Sequence, residues 1–489
     1  MTSTGVFLKI GEVQGQIAAI DELRRTAPAG RKAGQEIPGP NPRIALLTPY
    51  NGGNLGDAAI QDSMIANIRD RLPGAQFSGI CLNCDNFVER HGVDAFPLCG
   101  VTIPFYGMLS GKVADQPKYG EHRTQGSIRK GLNAVRMKKA VKRVPVLGWC
   151  LIGIRACWRE FRHWIQGYRF LRAQDLVVVS GGGQISEEWG GPWGQPFALF
   201  KWAVLARMAH VPYVIASVGV GKVTSPTARS LLSAALRMAR YRSYRDKNSR
   251  AFAAGLLPLA SQDPIVPDMV LSLPPSEIPR PAGIRAIAQG RPTIAISPIA
   301  YAKPRKWPSQ DRALYERYLS ELARVVSQLL ERGNFLVIVC SCLWDDESAI
   351  SDLLGRLEGQ SKQRLARQMH IPPIASWKDV VASLLDVDCL IASRLHSIIL
   401  GSVIQKPTVA ISFDSKVDWL MEDLGQSEYI LQIREFTAAD VMEALDRLML
   451  RRNDVVRQIA SYRDRILAAC ALQCEALAEL AMGRGRGRN

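Results

Sequence analysis

The stretch SRLHSIILGS, Ser393 to Ser402, sets Arg394 and His396 directly ahead of an apolar run. A guanidinium is a permanent cation that can grip a carboxylate or phosphate through two parallel hydrogen bonds, and imidazole is the side chain that exchanges protons near neutral pH. Anchor and proton carrier at one strand-to-helix junction predict anion binding coupled to acid–base chemistry; the alternative, more usual for a lone histidine, is a structural role. The helix N-terminus opposes protonation of His396, so a neutral imidazole is expected unless a bound anion or carboxylate compensates. A second arginine, Arg245, falls where a strand becomes a turn in YRSYRDKNSR, with Asp246 beside it. Alone, such a charge is as readily a solvated one.

Two glycine-rich turns complete the set. In NGGNLGDAAIQDSM the glycines at 52, 53 and 56 permit a sharp turn and a close backbone approach, Asn54 lies among them, and Asp57 stands where an N-cap belongs. Free N–H groups of the helix that follows would face the carboxyl end of the preceding strand, where open α/β sheets bind ligands. The alternative is a tight turn with a capped helix. In VVVSGGGQISEEWGGPWG, Gly181, Gly182 and Gly183 remove every Cβ from a second such turn, and Trp189 and Trp193 offer either a stacking wall for a sugar ring or ordinary packing. Neither loop carries the Gly-Lys-Ser/Thr of a phosphate-binding loop or a G-x-G-x-x-G fingerprint.

The elements that must position these residues are legible as short, wholly apolar runs: RIALLTPY, DLVVVSGGG, PYVIASVGVG, PTIAISPI, NFLVIVCS, DCLIASRLH and PTVAISFD. Continuous runs of this kind, separated by helical stretches, predict parallel sheets covered on both faces, an α/β protein. A chain of 489 residues is too long for one core. The Pro-rich SLPPSEIPRPAG divides it, because proline interrupts both helix and central-strand pairing. The expected organisation is an N-terminal extension (1–41), an α/β domain (42–272) with an insert at about 107–172, a linker (273–292), a second α/β domain (293–435), C-terminal helices (436–482) and a tail (483–489).

Charge is unevenly spread. Of the formal +17, a surplus of twelve lies between Lys118 and Arg172, with fourteen basic residues against two acidic ones. No zinc-finger, RNA-binding or helix-turn-helix pattern accompanies it, so nucleic acid is not the expected partner. The insert joins its cations to Trp149, Trp158 and Trp164, which suits an anionic membrane surface; a helical excursion packed on its own domain is the competing reading. The ten cysteines include Cys81-x-x-Cys84 and Cys340-x-Cys342 without a second pair at zinc-finger spacing, and read as reduced thiols, Cys81 and Cys84 closing a strand and its turn. MTSTGVFLKIGEVQGQ lacks the pattern of a secretory signal, and no run has the length of a membrane span; the expected location is the cytoplasm, with association to the inner face of the membrane as a further expectation.

Taken together, NGGNLGDAAI, SGGGQI, SYRD, PDMVLSL and SRLHSIILGSVIQKPTVAISFDSKVDWLMEDLG resemble the polysaccharide pyruvyl transferase family, over about Pro42 to Gly425. The resemblance implies two Rossmann-like domains facing a cleft, similar to glycosyltransferase type B. It also implies transfer of a pyruvyl group from phosphoenolpyruvate to two sugar hydroxyls as a ketal, in the biosynthesis of exopolysaccharide or cell-surface glycan. Arg394 and His396 match the family's Arg-Leu-His, and Arg245 a donor-holding arginine; Asp57 is kept where many members continue with a second acidic residue, here Ala58. On this reading Arg245 and Arg394 anchor the donor, His396 serves as acid–base group and Asp57 orients or deprotonates the acceptor. Phosphoenolpyruvate is a co-substrate, no metal or other cofactor is required, and the acceptor is a saccharide, free or lipid-linked. The rival readings are a nucleotide-sugar glycosyltransferase, with Asp414 and Asp418 near a ribose, and a non-catalytic membrane component of polysaccharide assembly.

Overall fold

The computed structural model describes residues 41–101, 145–188, 190–304, 307 and 310–485. The N-terminal extension, the stretch 102–144 of the insert, Trp189 and the last four residues lie outside the described residues.

The first sheet contains β1 (Arg43–Leu47), β2 (Gln76–Cys81), β3 (Asp94–Pro97), β4 (Leu176–Ser180), β5 (Tyr213–Val218) and β6 (Tyr241–Tyr244). The second contains β7 (Thr293–Ser297), β8 (Phe335–Ile338), β9 (Met369–His370), β10 (Cys389–Ala392), β11 (Thr408–Ser412) and β12 (Ile430–Gln432). Helices of the first lobe are α1 (Leu55–Arg71), α2 (Cys84–His91), α3 (Pro145–Arg172), α4 (Gln195–Met208), α5 (Pro226–Met238) and α6 (Lys247–Ala254). Those that follow are α7 (Ile284–Ala288), α8 (Arg312–Glu331), α9 (Leu343–Leu354), α10 (Gly359–Gln368), α11 (Trp377–Leu385), α12 (Leu395–Val403), α13 (Ser415–Asp423), α14 (Ala438–Leu450) and α15 (Arg452–Gly485).

All strand pairings are parallel, and the central strands β4, β5, β7, β10 and β11 are buried along their whole length. The sheet orders are β3-β2-β1-β4-β5-β6 and β12-β11-β10-β7-β8-β9. Counted within its own lobe, each sheet has the same doubly wound order, which reverses between its first and fourth strands. Loops leaving the carboxyl ends of that strand pair diverge and open a crevice. In the first lobe these loops are Asn51–Asn54 after β1 and Gly181–Gly183 after β4; in the second they follow β7 and β10, the latter carrying Arg394. The architecture expected from the sequence, two Rossmann-like domains facing a cleft, is the one observed. The edge strands β3, β9 and β12 are short and incompletely buried, so they lack the continuous apolar signature of the others.

The final helix, α15, ties the lobes together. Its Val455, Ile459, Tyr462 and Ile466 join the second lobe's core, while Cys470, Cys474, Leu477 and Ala481 pack on the first. Gln473 is buried between them, hydrogen-bonded to Tyr241, Ser243 and Ser217. Arg463 donates to the carbonyls of Leu271, Leu273 and Val403. By length and composition Arg452–Gly483 could cross a membrane, contrary to the sequence expectation of no such stretch. Its apolar face is instead taken up by both lobes.

Candidate active site

The first lobe supplies the turn after β1. The Asn54 side chain accepts from the Gly56 N–H at 3.1 Å, which makes Asn54 the N-cap of α1. Asp57, expected as the cap, is instead inside the first helical turn: Asn54 already meets the free amide, and the Asp57 carboxyl is left to face the crevice. Gly52 has φ +100°, a backbone state that glycine alone tolerates easily. Asn54 forms an antiparallel bridge with Cys342 of the other lobe, and Leu55 N–H donates to Ser341 O while Leu343 N–H donates to Gly53 O, both at 3.0 Å. Backbone pairing across the interface therefore fixes the start of α1 against the end of β8.

Gly56 explains why a glycine is needed here. A Cβ at this position would lie 1.9 Å from the His396 ring, so the imidazole rests directly on the backbone of the first lobe. His396 is the second residue of α12, whose N-cap position is held by Arg394. Ser397, one residue on, is pinned by Ser297 and Ser341 hydroxyls at 2.7 and 3.0 Å. The imidazole Nε2 is buried and has no hydrogen-bond partner among the described residues. Burial, then the charges of Arg245 and Arg394, hold His396 down to about 3. The direction is the one expected for His396, with desolvation first and the two guanidinium groups after it as causes.

Arg245 leaves the end of β6 and lies across Gly219, where an added Cβ would meet its Nη2 at 2.9 Å and Gly182 O at 3.3 Å. Its charge is offset by Asp246 at 3.6 Å and Asp268 at 3.8 Å. Asp268 is 3% exposed, and one of its oxygens, Oδ2, lacks a hydrogen-bond donor among the described residues. Burial foremost, then repulsion from Asp268, pushes the Asp57 carboxyl up to about 7, against the pull of Arg245 and Asn54. Gly181 and Gly182 both have positive φ, and a Cβ on Gly182 would lie 3.7 Å from Asp57 Oδ1. Gly183 faces Lys416 from the second lobe, with 3.9 Å between its Cβ position and Nζ.

Arg394 is held by Asp346, a fully buried carboxylate at the start of α9, through Nε at 2.7 Å. Its guanidinium lies 5.8 Å from the ring centroid of Trp307. The Arg245 and Arg394 side chains keep 10% and 16% exposure, so neither is sealed off nor simply solvated. Thus Asp57, Arg245, Arg394 and His396 converge from both lobes, with Gly56 and Gly182 making room. Asn54 acts as a cap. Trp193 packs on Phe197 at 5.8 Å between centroids, and Phe197 on Trp164 at 6.5 Å, so packing accounts for part of its surface. Asp414 caps α13 and Asp418 accepts from Gln432.

Asp268, Asp346 and Trp307 were not picked out by sequence reasoning. A carboxylate inside the apolar VPDMVLSL was a usable signal for Asp268. Asp346 and Trp307 gave none, since only folding brings them to Arg394.

Among curated proteins, none matches this sequence. Solved structures similar to this chain include a UDP-GlcNAc 2-epimerase from Methanocaldococcus jannaschii, with 8% identity, 83% of this chain and 92% of that chain covered, and a TM-score of 0.47. The glycosyltransferase SnogD from Streptomyces nogalater shows 15% identity, covers 87% and 96% of the two chains, and has a TM-score of 0.46. The Escherichia coli ADP-heptose lps heptosyltransferase II shows 12% identity, 84% and 99% coverage, and a TM-score of 0.40. The family model for polysaccharide pyruvyl transferase matches residues 54–415, from the cap of α1 to the start of α13, and spans every strand but β1 and β12. Asp57, Arg245, Arg394 and His396 all fall inside that match, and the chain belongs to the polysaccharide pyruvyl transferase family.

Proposed function

We propose that the protein transfers a pyruvyl group from phosphoenolpyruvate to two hydroxyls of a saccharide, closing a ketal and releasing phosphate. The observation that carries this reading is the seating of His396 on Gly56, the residue that precedes Asp57 in the chain, under the fields of Arg245 and Arg394. Two guanidinium groups suit a compound with both a carboxylate and a phosphate. A neutral imidazole and a carboxyl that titrates near neutrality suit a reaction that gives one proton to carbon and takes two from oxygen.

The proton flow closes on these two groups. Protonated Asp57 donates to the methylene carbon, and C2 gains positive character. The first sugar hydroxyl attacks C2 while His396 accepts its proton. The imidazolium then protonates the departing phosphate as the C2–OP bond breaks. The second hydroxyl attacks C2 and returns a proton to Asp57. The net change is phosphoenolpyruvate plus a diol giving the ketal and phosphate. This division of labour reverses the sequence expectation for Asp57, because crowding by burial and Asp268 favours its protonated form. Bound donor anions would also raise the His396 pKa, which aids the imidazolium step.

The test offers the purified full chain phosphoenolpyruvate and nucleotide sugars in turn with saccharide acceptors. Phosphate release matched by a ketal methyl signal in the NMR spectrum is expected. Nucleotide release with phosphoenolpyruvate inert would reject the proposal in favour of glycosyl transfer.

A further inference from the structure

The described part of α3 has two apolar faces, and among the described residues one is packed and the other exposed. Ala156, His163, Gly167 and Leu171 are buried against the body of the lobe. On the far side Ile154, Trp158, Phe161 and Ile165 follow a 4-3-4 spacing and form a single stripe, 65%, 60%, 56% and 41% exposed. The Trp158 and Phe161 rings lie 5.9 Å apart. At 100° per residue, Arg155, Arg159, Arg162 and Arg169 fall along one flank of that stripe and Arg172 at its foot, all exposed.

The helix is held rigidly. Lys201 of α4, wholly buried, donates to Glu160 Oε1 at 2.7 Å and Leu98 O at 2.9 Å. Glu160 Oε2 accepts from Gly100 N–H at 2.8 Å, and His163 Nε2 bonds Pro97 O at 2.8 Å. Pro97 is the carboxyl end of β3, so Glu160 and His163 are level with the crevice edge of the first sheet. The chain descends from there to Arg172 and the start of β4. Residues before Glu160 therefore project past that edge, Ile154 by about 9 Å.

We propose that this face of α3 lies on an anionic lipid surface. Aromatic and aliphatic side chains ranged beside arginines, on a helix fixed to the protein, fit the boundary between acyl chains and phosphate headgroups. A soluble partner would need a matching acidic groove, whereas anionic lipid supplies both parts of the pattern at once. The placement sets the carboxyl edge of the first sheet toward the membrane, and is independent of which donor the site uses.

The experiment is flotation of the full chain with vesicles of phosphatidylglycerol and phosphatidylcholine, against phosphatidylcholine alone. Binding to the anionic vesicles is expected, weakened by salt and reduced about tenfold in R159E/R162E and in W158A/F161A. Trp158 and Phe161 are exposed, so thermal unfolding of these variants should match the parent protein. Absence of anionic preference, or unchanged binding by both variants, would overturn the proposal. So would a concentration-dependent dimer, lost in W158A/F161A and accompanied by no vesicle binding, which would assign the stripe to a second copy.

Discussion

The protein holds two constellations of the same chemical kind, a cation, a carboxylate and a histidine, one within the first lobe and one between the lobes, with opposite degrees of satisfaction. In the Lys201–Glu160–His163 cluster each group has partners: the ammonium meets a carboxylate, a carbonyl and the His163 ring, and the carboxylate is closed by Gly100. Burial foremost, then Lys201, holds His163 down to about 4, so it is a neutral structural spacer. In the crevice, His396 Nε2 and Asp268 Oδ2 have no hydrogen-bond partner among the described residues, and Arg245 meets its carboxylates only at 3.6 and 3.8 Å. Completed buried networks rigidify a fold. Polar groups held in place but incompletely paired retain a capacity for something else; atoms such as Tyr213 Oη and Gln426 Nε2 are unpaired elsewhere among the described residues, but Asp268, Arg394 and His396 carry charge or a titratable proton as well.

The largest effect is expected at the incompletely paired cluster. H396A should lower kcat/KM by about 10^3-fold, with the thermal unfolding midpoint nearly unchanged. A matching loss of stability would put His396 in the same class as His163. K201M should do the reverse: leaving Glu160 buried without its cation costs about 3–5 kcal/mol of stability, read by denaturant unfolding, while turnover per folded molecule persists. G56A tests the contact between the lobes. Its methyl group occupies the place of the imidazole, and a displaced His396 should lower kcat by about 10^2-fold with KM for phosphoenolpyruvate less affected.

The smallest effect concerns pH. Asp57 is raised from 3.8 to about 7, so between those values the folded protein holds a proton that the unfolded chain has lost, and stability falls as pH rises through this window. D57N should therefore exceed the parent protein in stability by about 1–2 kcal/mol at pH 8 and lose that advantage near pH 4. His396 acts in the opposite sense. Lowered from 6.5 to about 3, it withdraws stability as pH falls between those values, and H396A should remove that loss. Thermal scans across pH read both. A D57N advantage that persists at pH 4 would show that Asp57 is not buried as a neutral acid.

Sequence alone determined the α/β class, because strands buried on both faces must be apolar throughout, as in LVVVS and TIAIS. It also exposed Arg394 and His396, whose polarity contrasts with the apolar helix behind them, and the basic character of the insert. Only tertiary structure decided which carboxylates accompany them. Asp268 and Asp346 reach Arg245 and Arg394 through packing between distant segments, which no local pattern encodes. It also decided that Asn54 rather than Asp57 caps α1, that Gly56 is a glycine because an imidazole from the other lobe rests on it, and that an apolar stripe on α3 stays exposed among the described residues. The physical reason is common to all of these: backbone propensity and hydropathy act along the chain, whereas desolvation, charge repulsion and steric exclusion depend on neighbours that only the assembled lobes provide.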